Sequence, residues 1–215
     1  MVFGFLATFG PALYYEISYR VGNMRGIQYV LSNKGADEIK SINAVKKETV
    51  PVSLFGSLLS DKKVQELVPV STEFSVVIPK IGANERVTAN VDPSKESDYL
   101  EALKHSVAHA KGSALPGLGG TTYLFAHSAD NFWDVGRYNA VFYLLKDLEL
   151  GDEINLFFQD KRHTYTVYDK KIVDPSEVEF LSANLGEGEK VILQTCWPPG
   201  TAWKRLLIFA KPKNS

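Results

Sequence analysis

The alternation of apolar and polar positions changes character near residue 74. Residues 74–78 are β-branched and apolar and stop at Pro79, and residues 86–91 make a second short run; both read as strands. Residues 121–126, 154–158, 164–173, 190–195 and 206–210 are further apolar or alternating runs bounded by Gly, Pro or charged residues, and each predicts a strand. Residues 159–162 join two of these as a hairpin. Helical spacing occurs twice. Tyr99, Leu103, Val107 and Ala110 follow Asp98 and Glu101, a pair with capping-box spacing, and predict a helix over 98–110. Tyr138, Val141, Phe142, Leu145 and Leu148 predict another, closed off by Gly151. Residues 112–120 are turn-rich, and 174–185 read as a loop with a short helix. Seven or so short strands with two modest helices predict a mostly β chain: a largely antiparallel barrel with helical insertions, not a doubly wound sheet.

Upstream of residue 74 the pattern is different. Residues 1–15 carry no charge and are dominated by Phe3, Phe5, Leu6, Phe9, Leu13, Tyr14 and Tyr15. As a helix they span about 22 Å, short of the roughly 30 Å hydrocarbon core. There is no basic n-region and no clean small-residue cleavage site, so a secretory signal peptide fits poorly. Few soluble helices are apolar on every face, which favours the outer part of a membrane anchor over a terminal helix packed on the domain or lying in an interface. Arg20 and Arg25, just beyond, run against an outward-facing domain under the positive-inside tendency. Residues 37–73 are charged, lack a sustained apolar period and are punctuated by Pro51 and Pro69, the pattern of a stalk, with 52–59 able to dock on the domain.

Composition narrows the chemistry. The 215 residues carry 24 Lys+Arg against 25 Asp+Glu, with 45% hydrophobic residues, as in a single globular domain with an appendage. Near-zero net charge argues against a nucleic-acid binder, because phosphate binding needs a basic excess or patch. The single cysteine, Cys196, excludes an internal disulfide and a zinc site built from several thiolates. The ordinary fate of such a thiol is burial as a small, inert hydrophobe. Cys196, however, ends a strand and precedes Trp197-Pro198-Pro199-Gly200, and no strand continues through two prolines. The thiol therefore belongs to a sheet rim where a loop departs, a better address for chemistry than a strand centre.

Two side chains are placed to share that rim. Arg205 opens the final strand nine residues on, and a hairpin through 197–204 returns it beside Cys196, where a guanidinium stabilises a thiolate or an oxyanion. His127 ends the run Leu124-Phe125-Ala126. By default it is a satisfied polar cap; if its strand lies beside that of Cys196 with the same polarity, the two form the minimal pair for cysteine nucleophilic catalysis. His105 and His109 have the i, i+4 spacing of a zinc pair on the predicted helix but lack a following Glu and a third ligand, so no metal is expected. Gly117-Leu118-Gly119-Gly120 lacks the Gly-Lys-Ser/Thr ending of a phosphate loop and reads as a turn. His163 sits in a charged hairpin and is expected to be exposed.

Ile192-Leu193-Gln194-Thr195-Cys196 with Arg205 nine residues later resembles the Thr-Leu-x-Thr-Cys…Arg signature of sortases. Val76-Val77-Ile78-Pro79-Lys80-Ile81 is similar to that family's first-strand segment, and Val107-Ala108-His109 through Ala114-Leu115-Pro116-Gly117 to His127 resembles the stretch leading to its histidine. Leu148-Glu149-Leu150-Gly151-Asp152 resembles its Leu-x-x-Gly-Asp. The resemblance spans about residues 70–212; Ile192 replaces the first threonine, and Ala126-His127-Ser128 stands where many members have Gly-His-Arg or Gly-His-Thr.

What the resemblance implies is a mostly β, sortase-like closed β-barrel of about eight strands with short helical insertions, preceded by an N-terminal helix. Residues 1–19 would be a membrane anchor or its truncated remnant, 20–70 a stalk and 71–215 the catalytic domain. Cys196 would be the nucleophile, His127 the general acid/base and Arg205 the oxyanion and positioning residue, with Thr195 as a supporting hydroxyl at the substrate; Trp197 and 174–189 are the candidates for walls of the substrate groove. No cofactor is implied. The expected activity is cleavage of an LPXTG-like sorting signal on secreted proteins and transfer to an amine of a cell-wall precursor or pilin. Its place would be the membrane, with the catalytic domain outside. A cysteine hydrolase with the same site and a non-catalytic peptide-binding barrel are the rivals.

Overall fold

The computed structural model describes residues 16–17, 19–22, 24–32, 64–128, 140–177, 180, 188–199 and 201–213. Strands β1 (Gln28–Leu31) and β2 (Val64–Leu67) form a two-stranded parallel sheet of their own. Eight more follow: β3 (Phe74–Ile78), β4 (Ala83–Val91), β5 (Val107–Ala110), β6 (Thr121–Phe125), β7 (Glu153–Phe158), β8 (Lys161–Val173), β9 (Lys190–Trp197) and β10 (Lys204–Pro212). They close into a barrel in the order β10-β8-β7-β3-β4-β5-β6-β9, with β9 pairing back onto β10. Closure leaves no strand of the barrel with an unpaired edge. The β4–β5 and β6–β9 junctions are parallel and the other junctions antiparallel. The expected closed eight-stranded architecture is what forms.

Local chemistry explains the elements. β7 and β8 are joined by Gln159 and Asp160, both at positive φ (49° and 62°), the backbone of the two-residue turn that matches strand twist. Val76, Ile78, Leu124, Leu193, Ile154, Leu156 and Ile208 are fully buried and form one core with Phe142 and Leu145 of a 3-10 helix at Ala140–Asp147. That helix falls within the expected second helical segment; Tyr138 lies outside the described residues.

The first predicted helix is only partly helical. Helix α1 covers Glu96–Leu103, with Lys95 as an N-cap that makes no side-chain bond, so Asp98 lies inside the first turn and caps nothing. Asp92, directly after β4, starts the turn instead: its carboxylate accepts from the Ser94 amide and hydroxyl, which hold it down to about 2. Residues 107–110, expected to continue the helix, are β5, every side chain buried between β4 and β6. A strand buried on both faces has no alternation, and its apolar run is indistinguishable from a helix face by periodicity.

His105 and His109 consequently lie on different elements and cannot act as an i, i+4 pair. His105 is exposed. His109 is fully buried, its Nδ1 accepting the Asn90 N–H at 3.2 Å and its Nε2 lying 3.1 Å from the Ala114 carbonyl and 2.9 Å from Ser113 Oγ. An acceptor at Nδ1 puts the single proton on Nε2. His163 is half-buried, its ring against Gly117; the φ of +78° and the imidazole over the missing Cβ both demand glycine there.

Residues 20–70 are not all stalk-like. Leu31 of β1, with Leu67 of β2 packed against it, clusters with Val77 and Phe157 of the barrel. The described residues from Glu16 to Met24 are helical, and Glu16 pairs with Lys146 of the 3-10 helix at 2.6 Å while Tyr19 packs on the core. The Lys146 ammonium holds the Glu16 carboxyl below its ordinary range. Residues 1–15 and 52–59, read as anchor and docking segment, lie outside the described residues.

Thr122 is fully buried in β6 and its hydroxyl has no hydrogen-bond partner among the described residues. Thr122→Val keeps the shape and removes the unsatisfied group, so it should stabilise the fold by about 1 kcal/mol and raise Tm by roughly 2–4 °C in a thermal melt. Burial also lowers the His109 pKa from its ordinary 6.5. The unfolded chain then binds the proton more tightly, so stability is fully present above about pH 6.5 and is lost as pH falls through the folded-state value. Melts from pH 7.5 to 5 should show that decline, and His109→Gln should flatten it.

Candidate active site

β9 is flanked by β6 on one side and β10 on the other, and this places the three candidate residues. On the β10 side Cys196 is the register partner of Arg205. On the β6 side the parallel ladder aligns Tyr123 with Ile192 and Phe125 with Gln194, and the Ala126 N–H donates to the Gln194 carbonyl at 3.1 Å. Two residues beyond each member of the Phe125–Gln194 pair come His127 and Cys196. Cys196 and Arg205 thus occupy adjacent strand positions, about 5 Å apart along the backbone hydrogen-bonding direction, and His127 follows two residues past the end of β6, in line with Cys196. The polarity condition attached to His127 is met, because β6 and β9 are parallel. Since side chains alternate, Cys196 and Arg205 share one sheet face with Tyr123, Phe125, Gln194 and Leu207, and His127 leaves the end of the strand that carries Tyr123 and Phe125.

All three side chains are half-buried, and the Cys196 thiol is free. Arg205 Nη1 donates to the Ala202 and Lys204 carbonyls, both at 3.1 Å, which ties the guanidinium to the loop leaving the rim. Its Nε and Nη2 have no partner among the described residues and are available to an oxyanion. The geometry therefore offers a thiol, an imidazole and a forked donor at one barrel rim, the parts of an acyl-transfer site. No cluster of metal-ligating side chains occurs among the described residues.

Thr195 requires a correction. It was expected at the substrate, but alternation turns it to the opposite face from Cys196, where it is 2% exposed and donates to the Ala126 carbonyl at 3.0 Å. It clamps the end of β6 to β9 just before His127. Trp197 is half-buried and packs on the core. Of the 174–189 loop, residues 178–179 and 181–187 lie outside the described residues. Its end is held firmly: Glu189 Oε1 accepts from the Gly117 N–H at 3.0 Å and from the Tyr165 hydroxyl, whose pKa burial pushes up.

One arrangement was not anticipated. The Tyr123 hydroxyl donates to Gln194 Oε1 at 2.6 Å, immediately beneath the rim. Gln194 stands at the variable position of the signature, and only its i, i−2 spacing from Cys196 marked it as sharing the thiol's face.

A model of the sortase domain matches residues 76–213, well over half of the chain. The chain belongs to the sortase family. It is 30% identical over 137 residues to sortase D of Bacillus subtilis (strain 168), a match covering 62% of this chain and 60% of that protein, less than two thirds of its length. The fold is similar to that of a Clostridium perfringens sortase D5 transpeptidase (TM-score 0.55, 19% identity, 83% of this chain and 96% of that one). It is also similar to a lid mutant of Corynebacterium diphtheriae sortase A (TM-score 0.55, 21% identity, 96% and 95%).

Thr195→Val would leave the buried Ala126 carbonyl without its donor. It should cost about 1–2 kcal/mol, read as a Tm lowered by several degrees, and should lower activity by loosening the end of β6 just before His127.

Proposed function

We propose that this chain is a cysteine transpeptidase that cleaves an LPXTG-like sorting signal and passes the acyl group to an amine. The observation that carries the reading is the convergence of Cys196, His127 and Arg205 on one rim of a sortase-family barrel. The Cys196 thiolate attacks the carbonyl carbon of the scissile Thr–Gly bond, and the resulting oxyanion is met by the free N–H groups of Arg205. Collapse breaks the C–N bond. The leaving amine takes its proton from His127, and the acyl group stays on Cys196 as a thioester. An incoming amine attacks the thioester and gives a proton to His127, and the thiolate is released as the new amide forms. The acyl donors are secreted proteins with a C-terminal sorting signal, and the acceptor is an amine of a cell-wall precursor or a pilin lysine.

The same reading places the enzyme at the cell membrane, with the barrel outside and residues 1–15 as part of an anchor. Support comes from the uncharged, aromatic-rich composition of that segment. Among the described residues no helix is long and apolar enough to cross a membrane. Recovery of the full chain in a detergent-free soluble fraction would count against the anchor.

The deciding experiment incubates the protein with LPXTG-type peptides and an added amine and follows products by mass spectrometry. The expected product is the new amide, absent with Cys196→Ala and reduced on the order of 10²–10³-fold with Arg205→Ala. Acid product regardless of amine would identify a hydrolase. Undiminished turnover by Cys196→Ala would overturn the assignment.

A further inference from the structure

We propose that Gln194 is a substrate-recognition residue, its side-chain amide donating to a carbonyl oxygen of the peptide that lies over Cys196, and that Tyr123 is the positioning residue that presents it. The inference rests on the sortase reading and adds to it a contact outside the catalytic trio. Gln194 lies on the same sheet face as Cys196, two residues back along β9, and therefore about 7 Å from it. An extended peptide has the same repeat, and its carbonyls two residues apart point the same way. A peptide whose scissile carbonyl sits at Cys196 and Arg205 therefore directs a second carbonyl toward position 194.

The side chain there is oriented before any peptide arrives. The Tyr123 hydroxyl donates to Oε1 at 2.6 Å, which fixes the carbonyl end of the amide and turns Nε2 the other way. Tyr123 is 2% exposed, so the rotor that holds the amide is itself held by packing. Burial raises its pKa, and the hydroxyl keeps the proton that it donates. Gln194 Nε2 has no partner among the described residues, whereas the side chain is only half-buried. A donor held at one end and open at the other recognises an acceptor, and the uncharged carbonyl of a peptide is the acceptor that extended geometry brings.

The test compares wild type, Gln194→Leu, Tyr123→Phe and the double variant on an LPXTG-type peptide with an amine acceptor, with thermal melts as a check on folding. Gln194→Leu should raise KM about three- to tenfold, the worth of one lost hydrogen bond, and leave kcat within about twofold. Tyr123→Phe should raise KM by less, and the double variant should match Gln194→Leu alone, because the tyrosine acts through the glutamine. A wild-type enzyme that turns over while Gln194→Leu keeps its KM overturns the recognition role. Additive effects in the double variant overturn the positioning role. A wild type inert toward LPXTG-type peptides refutes the transpeptidase reading and this contact with it.

Discussion

The register of β9 between β6 and β10 is the constraint on which the site depends. One strand must run parallel to one neighbour and antiparallel to the other while its alternate side chains fill the core. Because the side-chain period is two, a slip of a single residue would turn a member of the trio to the opposite face. Leu124, Leu193 and Ile208 are fully buried on one face and Tyr123, Ile192 and Leu207 are buried on the other, so a slip would force both sides of the sheet to repack at once. The Thr195 bond to the Ala126 carbonyl pins the same register at the open end, where apolar packing gives way to solvent.

Around this frame the loops are tied down by specific polar contacts. Glu189 accepts from Gly117 and Tyr165 and so joins the turn before β6 to β8 and to the start of β9. Lys170 donates to the Lys146 and Leu148 carbonyls, anchoring the end of the 3-10 helix to β8. The site thus combines a rigid backbone ladder with side chains that leave it at the rim. That combination suits acyl transfer, in which attacking and stabilising groups must be held in place before the substrate arrives.

Where the pattern of residues misleads, one physical cause recurs. Val107 and Ala110 continue the helical spacing of Tyr99 and Leu103, yet residues 107–110 form a strand whose burial on both faces erases the two-residue alternation. The resemblance to the family signature puts Thr195 with the site as a supporting hydroxyl, yet adjacent strand residues face opposite ways. The pairing of β1 with β2 joins residues more than thirty positions apart through short, weakly patterned runs. No local window contains that information.

What the chain determines by itself is the inventory: strands where β-branched runs meet turns, a thiol stopped by two prolines, a histidine and an arginine at the ends of neighbouring runs. Cys196, His127 and Arg205 were legible because each closes or opens a strand, and strand ends collect at rims. Only the tertiary structure decided which rims coincide, that the strand of His127 runs parallel to that of Cys196, and that Tyr123 holds Gln194 beneath the thiol. The reason is that local composition sets each strand's tendency to form. Which edges pair, and in what register, is settled by the non-local requirement that one closed barrel bury all of its apolar faces together.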